Sequence, residues 1–313
     1  MRLFCVVDSN ANFAPSGADV IQILTPREVP LGGPRALKVR RTLPQRQRSL
    51  IGAWCFADHY GPDTSSMDVP PHPHTGLQTV SWLFSGEIEH RDSVGSHAMV
   101  RPGELNLMTA GYGISHSETS TPGTEILHGM QLWVALPARS RFTAPTFEHY
   151  VPQTYTSQGL TARVFLGSLL GETSPVRTFT PLLGAEIVLD AGAHVTLEVD
   201  PTFEHGVIVD QGTATMDDTT LGAAELGYRE PGSSTLDLRN PGREPVRLLL
   251  LGGPPFGEQI VMWWNFVGRS HEDVVEYRAA YESGNEQFGT VEGYPGARLH
   301  APPLPNSRMQ PRG

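Results

Sequence analysis

Cysteine is scarce: the 313 residues hold two, Cys5 and Cys55, too few for a disulfide framework. Cys5 lies in the short apolar run Leu3 to Val7, and Cys55 in Trp54-Cys55-Phe56. Both read as small core residues rather than a redox pair. No run of 18 apolar residues occurs, so no segment reads as membrane-spanning. The Leu3 to Val7 run is also too short for a signal peptide. Positive charge is in deficit: 23 Lys+Arg against 33 Asp+Glu leave a net charge of −10. That balance excludes a general binder of nucleic acid or anionic membranes. The one basic stretch, Arg35 to Arg48, lacks interleaved aromatics and reads as a solvated strand face. These absences together predict a soluble protein of a reducing cytoplasm.

Gly (33) and Pro (27) are plentiful, which favours turns and short strands over long helices. Residues 1–25 read as an N-terminal extension rich in Ser, Asn and Gly. From 26 to about 160, apolar runs such as Val80–Phe84, Leu105–Met108 and Met130–Leu136 alternate with turns at Ser85-Gly86 and Arg101-Pro102-Gly103-Glu104. Strands at this spacing argue for a sandwich or barrel. Residues 161–290 repeat the style, and Gly206–Gly212 parallels Val80–Gly86. Laying Gly212 on Gly86 sets Glu198 at the place of His72 and Asp200 at that of His74. The stretch Tyr228 to Pro241 carries no His-x-Glu, so the second unit reads as a barrel without a metal site. One helix is expected, opened by the capping-box-like Ser270-His-Glu-Asp273 and stopped at Ser283-Gly284. Residues 291–313 form a Pro-rich, Arg-bearing tail, either a mobile arm or a strap over a neighbouring surface.

Chemistry concentrates in two short strings, His72-Pro73-His74 and His116-Ser117-Glu118. In a strand, residues two apart point to the same face, so each pair can aim both side chains into one cavity. Three neutral imidazoles and a carboxylate suit a divalent first-row metal such as Fe, Mn, Ni, Cu or Zn. Four protein ligands on a six-coordinate ion leave two positions open, a catalytic rather than a structural layout. A lone histidine is more often structural than ligating. The order Pro-Pro-His-Pro-His-Thr-Gly, Ser-Gly-Glu, Pro-Gly-Glu, His-Ser-Glu is what raises this set above chance.

The strings Phe56-Ala-Asp-His-Tyr-Gly-Pro62, His72-Pro-His-Thr-Gly76, Ser85-Gly-Glu-Ile-Glu-His-Arg-Asp-Ser93, Arg101-Pro-Gly-Glu104 and Met108 to Glu118 resemble the pirin family of bicupins. So do Leu127 to Val134, Gly252 to Glu258 and Trp264-Asn-Phe-Val267, over about residues 26–288 in all. The resemblance implies an all-β bicupin of two stacked β-barrels with a short C-terminal helix. It also implies one mononuclear Fe(II) site in the first barrel, with His72, His74, His116 and Glu118 as metal ligands. Many cupins place a Glu four residues after the second His; here that position is Gln78, which becomes a candidate for the surroundings of the ligands.

The family includes enzymes resembling quercetin 2,3-dioxygenase, so the resemblance implies an Fe(II)-dependent dioxygenase acting on a small phenolic or flavonol substrate. Glu118 is then the catalytic base for the flavonol hydroxyl as well as a ligand, and ring opening expels carbon monoxide. The alternative reading is a non-enzymatic, iron-dependent redox-sensing regulator of a protein partner. A third is a metal-binding relic that takes another enolisable phenol. Asp58 and His59 either hold a ligand imidazole in its tautomer or form a satisfied corner. Glu87, Glu89, His90, Arg91 and Asp92 read as an ion-paired hairpin. Trp82, Met108, Leu132 and Trp133 read as core, with one or two lining the cavity. His97, His128 and His149 are expected to take no part in chemistry.

Overall fold

The computed structural model describes residues 20–31, 37–64 and 66–313. Cys5 and Arg35 lie outside the described residues. The chain builds two β-barrels, each from a seven-stranded and a four-stranded sheet. In the first barrel the four-stranded sheet runs Asp68–His74, Ile114–Ser120, Ile88–Asp92, His97–Val100. In the second, His194–Glu198, Thr235–Arg239, Ala214–Met216 and Thr219–Leu221 follow the same order. The two seven-stranded sheets stack on one another. A shared core there joins Val80, Trp82, Leu132 and Met130 of the first barrel to Phe165, Ile208, Leu249 and Leu251 of the second. Trp54 reaches across this layer, its indole N–H shared between the carbonyls of Leu183 and Gly252 at 3.2 Å each. Chain order and barrel membership part at one place: Gln22–Leu24 pairs with Leu226–Tyr228 in the second barrel's sheet.

Local chemistry explains where the strands that carry the candidate ligands sit. Asp68–His74 carries Pro70, Pro71 and Pro73, which cannot donate to a ladder, and it occupies the edge of its sheet, where prolines are tolerated. The strand ends in a turn at Gly76 with φ +69°, where a Cβ would lie 2.1 Å from the Val267 carbonyl oxygen. Only glycine fits there. The helix runs His271–Glu282, with Ser270 accepting from the Asp273 amide and both arms of the capping box formed. Its Val274, Tyr277 and Tyr281 are buried against Phe266 and Phe288. Among the described residues no helix is long and apolar enough to cross a membrane. Cys55 is a buried core residue whose thiol is pushed up to about 12 by burial.

The matching sheet orders show what replaces the candidate ligand pairs in the second barrel. Leu236 and Leu238 occupy the strand that corresponds to His116 and Glu118, and Leu197 the strand that corresponds to His72 and His74. They pack with Met216, Val207 and Leu250 into a continuous apolar interior. The residues laid over His72 and His74 by the glycine alignment, Glu198 and Asp200, are exposed. A one-residue slip flips a strand's faces, so the inward position is Leu197.

One buried imidazole of this barrel carries a pH prediction. Burial first, and then the charge of Arg229, lower the His205 pKa from 6.5 to about 4. The folded state therefore keeps it neutral, so its contribution is full above pH 6.5 and is lost as the pH falls from 6.5 to 4. The upper bound is about 3 kcal/mol. Urea unfolding of His205→Gln should give a flatter stability profile than wild type across that window; parallel profiles would contradict this.

Candidate metal centre

His72, His74, His116 and Glu118 meet in one cavity of about 310 Å³ in the first barrel. Antiparallel pairing sets His116 opposite His72, and a bulge between His116 and Glu118 brings Glu118 to Val69. The ligand atoms of the three imidazoles lie within 4.8 Å of one another, as do those of His90, His116 and Glu118. All are buried. Burial lowers the His72 pKa to about 4. Burial, reinforced by the neighbouring imidazole of His72, holds His74 and His116 far below the ordinary value. The three rings are therefore neutral and offer lone pairs. Burial raises the Glu118 carboxyl instead; its Oε1 accepts from the Ser81 hydroxyl at 3.2 Å, and that hydroxyl lies 3.1 Å from Gln131 Oε1.

The donor set fits a metal cation. His74 Nε2 and His116 Nε2 face each other at 3.1 Å, although two such nitrogens share at most one proton well. His74 Nδ1 has no hydrogen-bond partner of ordinary geometry among the described residues, although the Asn265 backbone lies near enough to act on the ring. His72 Nδ1 donates to the Pro70 carbonyl at 2.9 Å, which leaves its Nε2 as the lone-pair atom. A buried carboxyl facing several neutral imidazoles lacks a counter-charge, and a divalent ion supplies one.

His90 and Asp92 complete the arrangement and depart from the expected ion-paired hairpin. Glu89 pairs with Arg91 and His97, and Glu87 with Arg101, on the outer face. The alternate residues face inward. His90 Nε2 donates to Asp92 Oδ2 at 3.1 Å, and His90 Nδ1 lies 3.4 Å from His116 Nδ1. Burial alone would raise Asp92, but hydrogen bonds from His90 and Ser96 hold it below the usual carboxylate range. An ionised Asp92 fixes His90 with its proton on Nε2. His90 Nδ1 then accepts from His116, which leaves His116 Nε2 as the lone-pair atom facing the cavity. The i, i+2 spacing of His90 and Asp92 was the available sequence signal.

Other expectations divide. Trp133 lines the cavity and stacks on Phe56 with centroids 4.0 Å apart, while Trp82, Met108 and Leu132 are core. Asp58 grips Arg41, a cavity residue, through two 2.6 Å hydrogen bonds. Gln78 does not face the ligands: its amide donates to Thr109 Oγ1 and points into the layer between the barrels with Arg177. The Gly76 turn resets the strand's facing, so it is Ser81 that reaches Glu118 behind the cavity wall. His97 and His149 are bound to Glu89 and Asn106 away from it. Trp264, Asn265 and Leu299 also line the cavity, and no spacing rule pointed to them.

A second polar knot lies between the barrels. His59 Nε2 and His128 Nε2 stand 2.8 and 2.6 Å from Asp210 Oδ1 and 3.2 Å from each other. Arg247 holds Asp210 Oδ2 at 3.1 Å, and Arg40 Nη2 lies 3.3 Å from His59. Hydrogen bonds from His128 and His59 bring Asp210 well below the usual carboxylate range, although burial alone would raise it. Here the carboxylate is already satisfied and two guanidinium groups stand by. An added cation would meet repulsion rather than a vacant charge.

Family profiles match the chain twice: Pirin over residues 36–134 and the Pirin C-terminal cupin domain over 184–289. A Pseudomonas aeruginosa protein named as a candidate quercetin 2,3-dioxygenase is 41% identical over 308 residues, covering 96% of each chain. A pirin-like protein of Caulobacter vibrioides is 35% identical over 268 residues, covering 82% of this chain and 91% of its own. Among solved structures, a quercetin 2,3-dioxygenase from Acinetobacter baumannii superposes with a TM-score of 0.87 at 38% identity. That match covers 93% of this chain and 97% of the other.

Proposed function

The chain belongs to the pirin family, and on that premise we propose that it is an iron-dependent dioxygenase that opens the central ring of flavonols. His72, His74, His116 and Glu118 would hold Fe(II), with the remaining positions open. The observation that carries this reading is the convergence of three neutral imidazoles and an uncompensated carboxyl in one cavity. Iron bound there would supply Lewis acidity at a substrate hydroxyl and one-electron chemistry toward dioxygen.

The chain's own residues do the rest. Glu118, raised by burial, is suited to take and hold the proton of the flavonol hydroxyl. Ser81 keeps its Oε1 in place. Phe56, Trp133 and Val69 give the planar substrate apolar walls and exclude water. Arg41 contributes little free charge, because Asp58 neutralises it through paired hydrogen bonds. The cavity therefore suits a neutral polyphenol better than a carboxylated substrate. In the overall reaction dioxygen is incorporated, two carbon–carbon bonds break, and the hydroxyl-bearing carbon leaves as carbon monoxide.

Anaerobic Fe(II) loading followed by exposure to quercetin and air tests this. Loss of flavonol absorbance with carbon monoxide release is expected, absent in the apo protein and in Glu118→Ala. Stoichiometric iron uptake without turnover would overturn the flavonol reading and favour a redox-responsive regulator or another enolisable phenol. The Asp92–His90–His116 chain makes a separate prediction. His90→Ala should weaken metal affinity by about 10- to 100-fold in chelator competition, with the fold retained; unchanged affinity would remove His90 from the site.

A further inference from the structure

The tail beyond Gly293 is tied down along the helix. The Tyr281 hydroxyl donates to the Leu299 carbonyl at 2.7 Å, and the Leu299 amide donates to the Pro71 carbonyl at 2.8 Å. The Arg298 guanidinium covers the Tyr281 ring at 4.1 Å and donates to the Tyr281 carbonyl at 2.9 Å. The Ala301 amide donates to Glu282 at 2.7 Å. Further on, Arg312 and Ile260 exchange two backbone hydrogen bonds of 2.7 and 2.8 Å. The tail is thus a strap fastened on both sides of Leu299.

The strap fastens to the strand that carries His72 and His74. Prolines 70, 71 and 73 strip that edge of donors but leave its carbonyls, and the Leu299 amide satisfies one of them. The Leu299 side chain is thereby delivered to the cavity that holds the four candidate ligands. Trp264 joins it there from a left-handed backbone conformation, φ +51°, its ring 5.5 Å from Phe266 and 5.9 Å from Tyr281. Such a conformation is costly for a bulky residue and is held only by its surroundings.

From this geometry we infer that the C-terminal strap is a specificity element: Leu299, together with Trp264 on the same cavity, sets how large a planar ligand can reach the His72–Glu118 cluster. The inference rests on the proposal that this cluster holds a metal. It does not rest on which phenol is turned over. Packing against a fixed wall discriminates by size, because a single methylene's worth of overlap or vacancy is worth about tenfold or more in affinity.

The test loads the full-length protein with Co(II) and titrates imidazole and 4-phenylimidazole by visible absorption. Leu299→Ala should tighten 4-phenylimidazole about tenfold and leave imidazole unchanged, and Leu299→Trp should weaken only the larger probe. Tyr281→Phe, which loosens the strap by removing the bond to the Leu299 carbonyl without shortening Leu299, should shift the larger probe in the same direction as Leu299→Ala, by less. Parallel changes for both probes, or none, would overturn the inference. Size selection in a protein that leaves quercetin untouched would uphold the strap and sink the flavonol reading. A protein that takes up no cobalt would sink both.

Discussion

His116→Ala is expected to cost the protein its metal and its turnover together while leaving the barrel intact. His116 touches every part of the arrangement: His74 at 3.1 Å, His90 at 3.4 Å, and His72 directly across the ladder. Removing it takes away one of the four proposed donors and the ring through which His90 and Asp92 reach the cluster. Loss of one supporting partner alone weakens metal sites by about 10- to 100-fold, so loss of a ligand should exceed that. Flavonol turnover should fall to the apo level. The metal-free variant need not be less stable, because it sheds a buried imidazole kept neutral only against its own solvation. Metal analysis after dialysis, with thermal unfolding of both apo proteins, checks each part; a variant that keeps its metal would remove His116 from the ligand set.

The second large effect concerns the knot between the barrels. Asp210→Ala removes the acceptor shared by His59, His128 and Arg247 and leaves Arg247 with Glu186 as its remaining buried partner. Breaking a buried pair from one side costs about 3–5 kcal/mol when the remaining charge is left uncompensated, and the Glu186 partner of the partly exposed Arg247 puts this loss at or below the lower end. The urea midpoint should fall accordingly, and metal content should stay at the wild-type level. Asp210→Asn, which keeps one acceptor and the shape, should lose less. A wild-type midpoint for Asp210→Ala would mean that the knot carries no net stability.

Legibility in the sequence followed the range of the physics. His72, His74, His116 and Glu118 stood out because strand period alone places i, i+2 pairs on one face. The helix stood out because Ser270 and Asp273 form a local capping box. Facing was the harder inference. Gln78 and Glu198 each sit one residue out of phase, Gln78 because the Gly76 turn resets the alternation and Glu198 because the two units differ in length before their matching strands. His90 and Asp92 were hidden in a charged run whose outer members do pair, as the hairpin reading expects. Asp210 and Leu299 were not legible at all. Asp210 meets His128 across 82 residues of chain, and Leu299 reaches the cavity through a backbone bond to Pro71 that no local pattern encodes.

Metal stoichiometry, measured side by side on the wild type, His116→Ala and Asp210→Asn after equilibration with Fe(II) under anaerobic conditions, tests the central claim most directly. One equivalent per chain is expected in the wild type and in Asp210→Asn, and close to none in His116→Ala. Iron retained by His116→Ala but lost from Asp210→Asn would place the metal between the barrels and contradict this account.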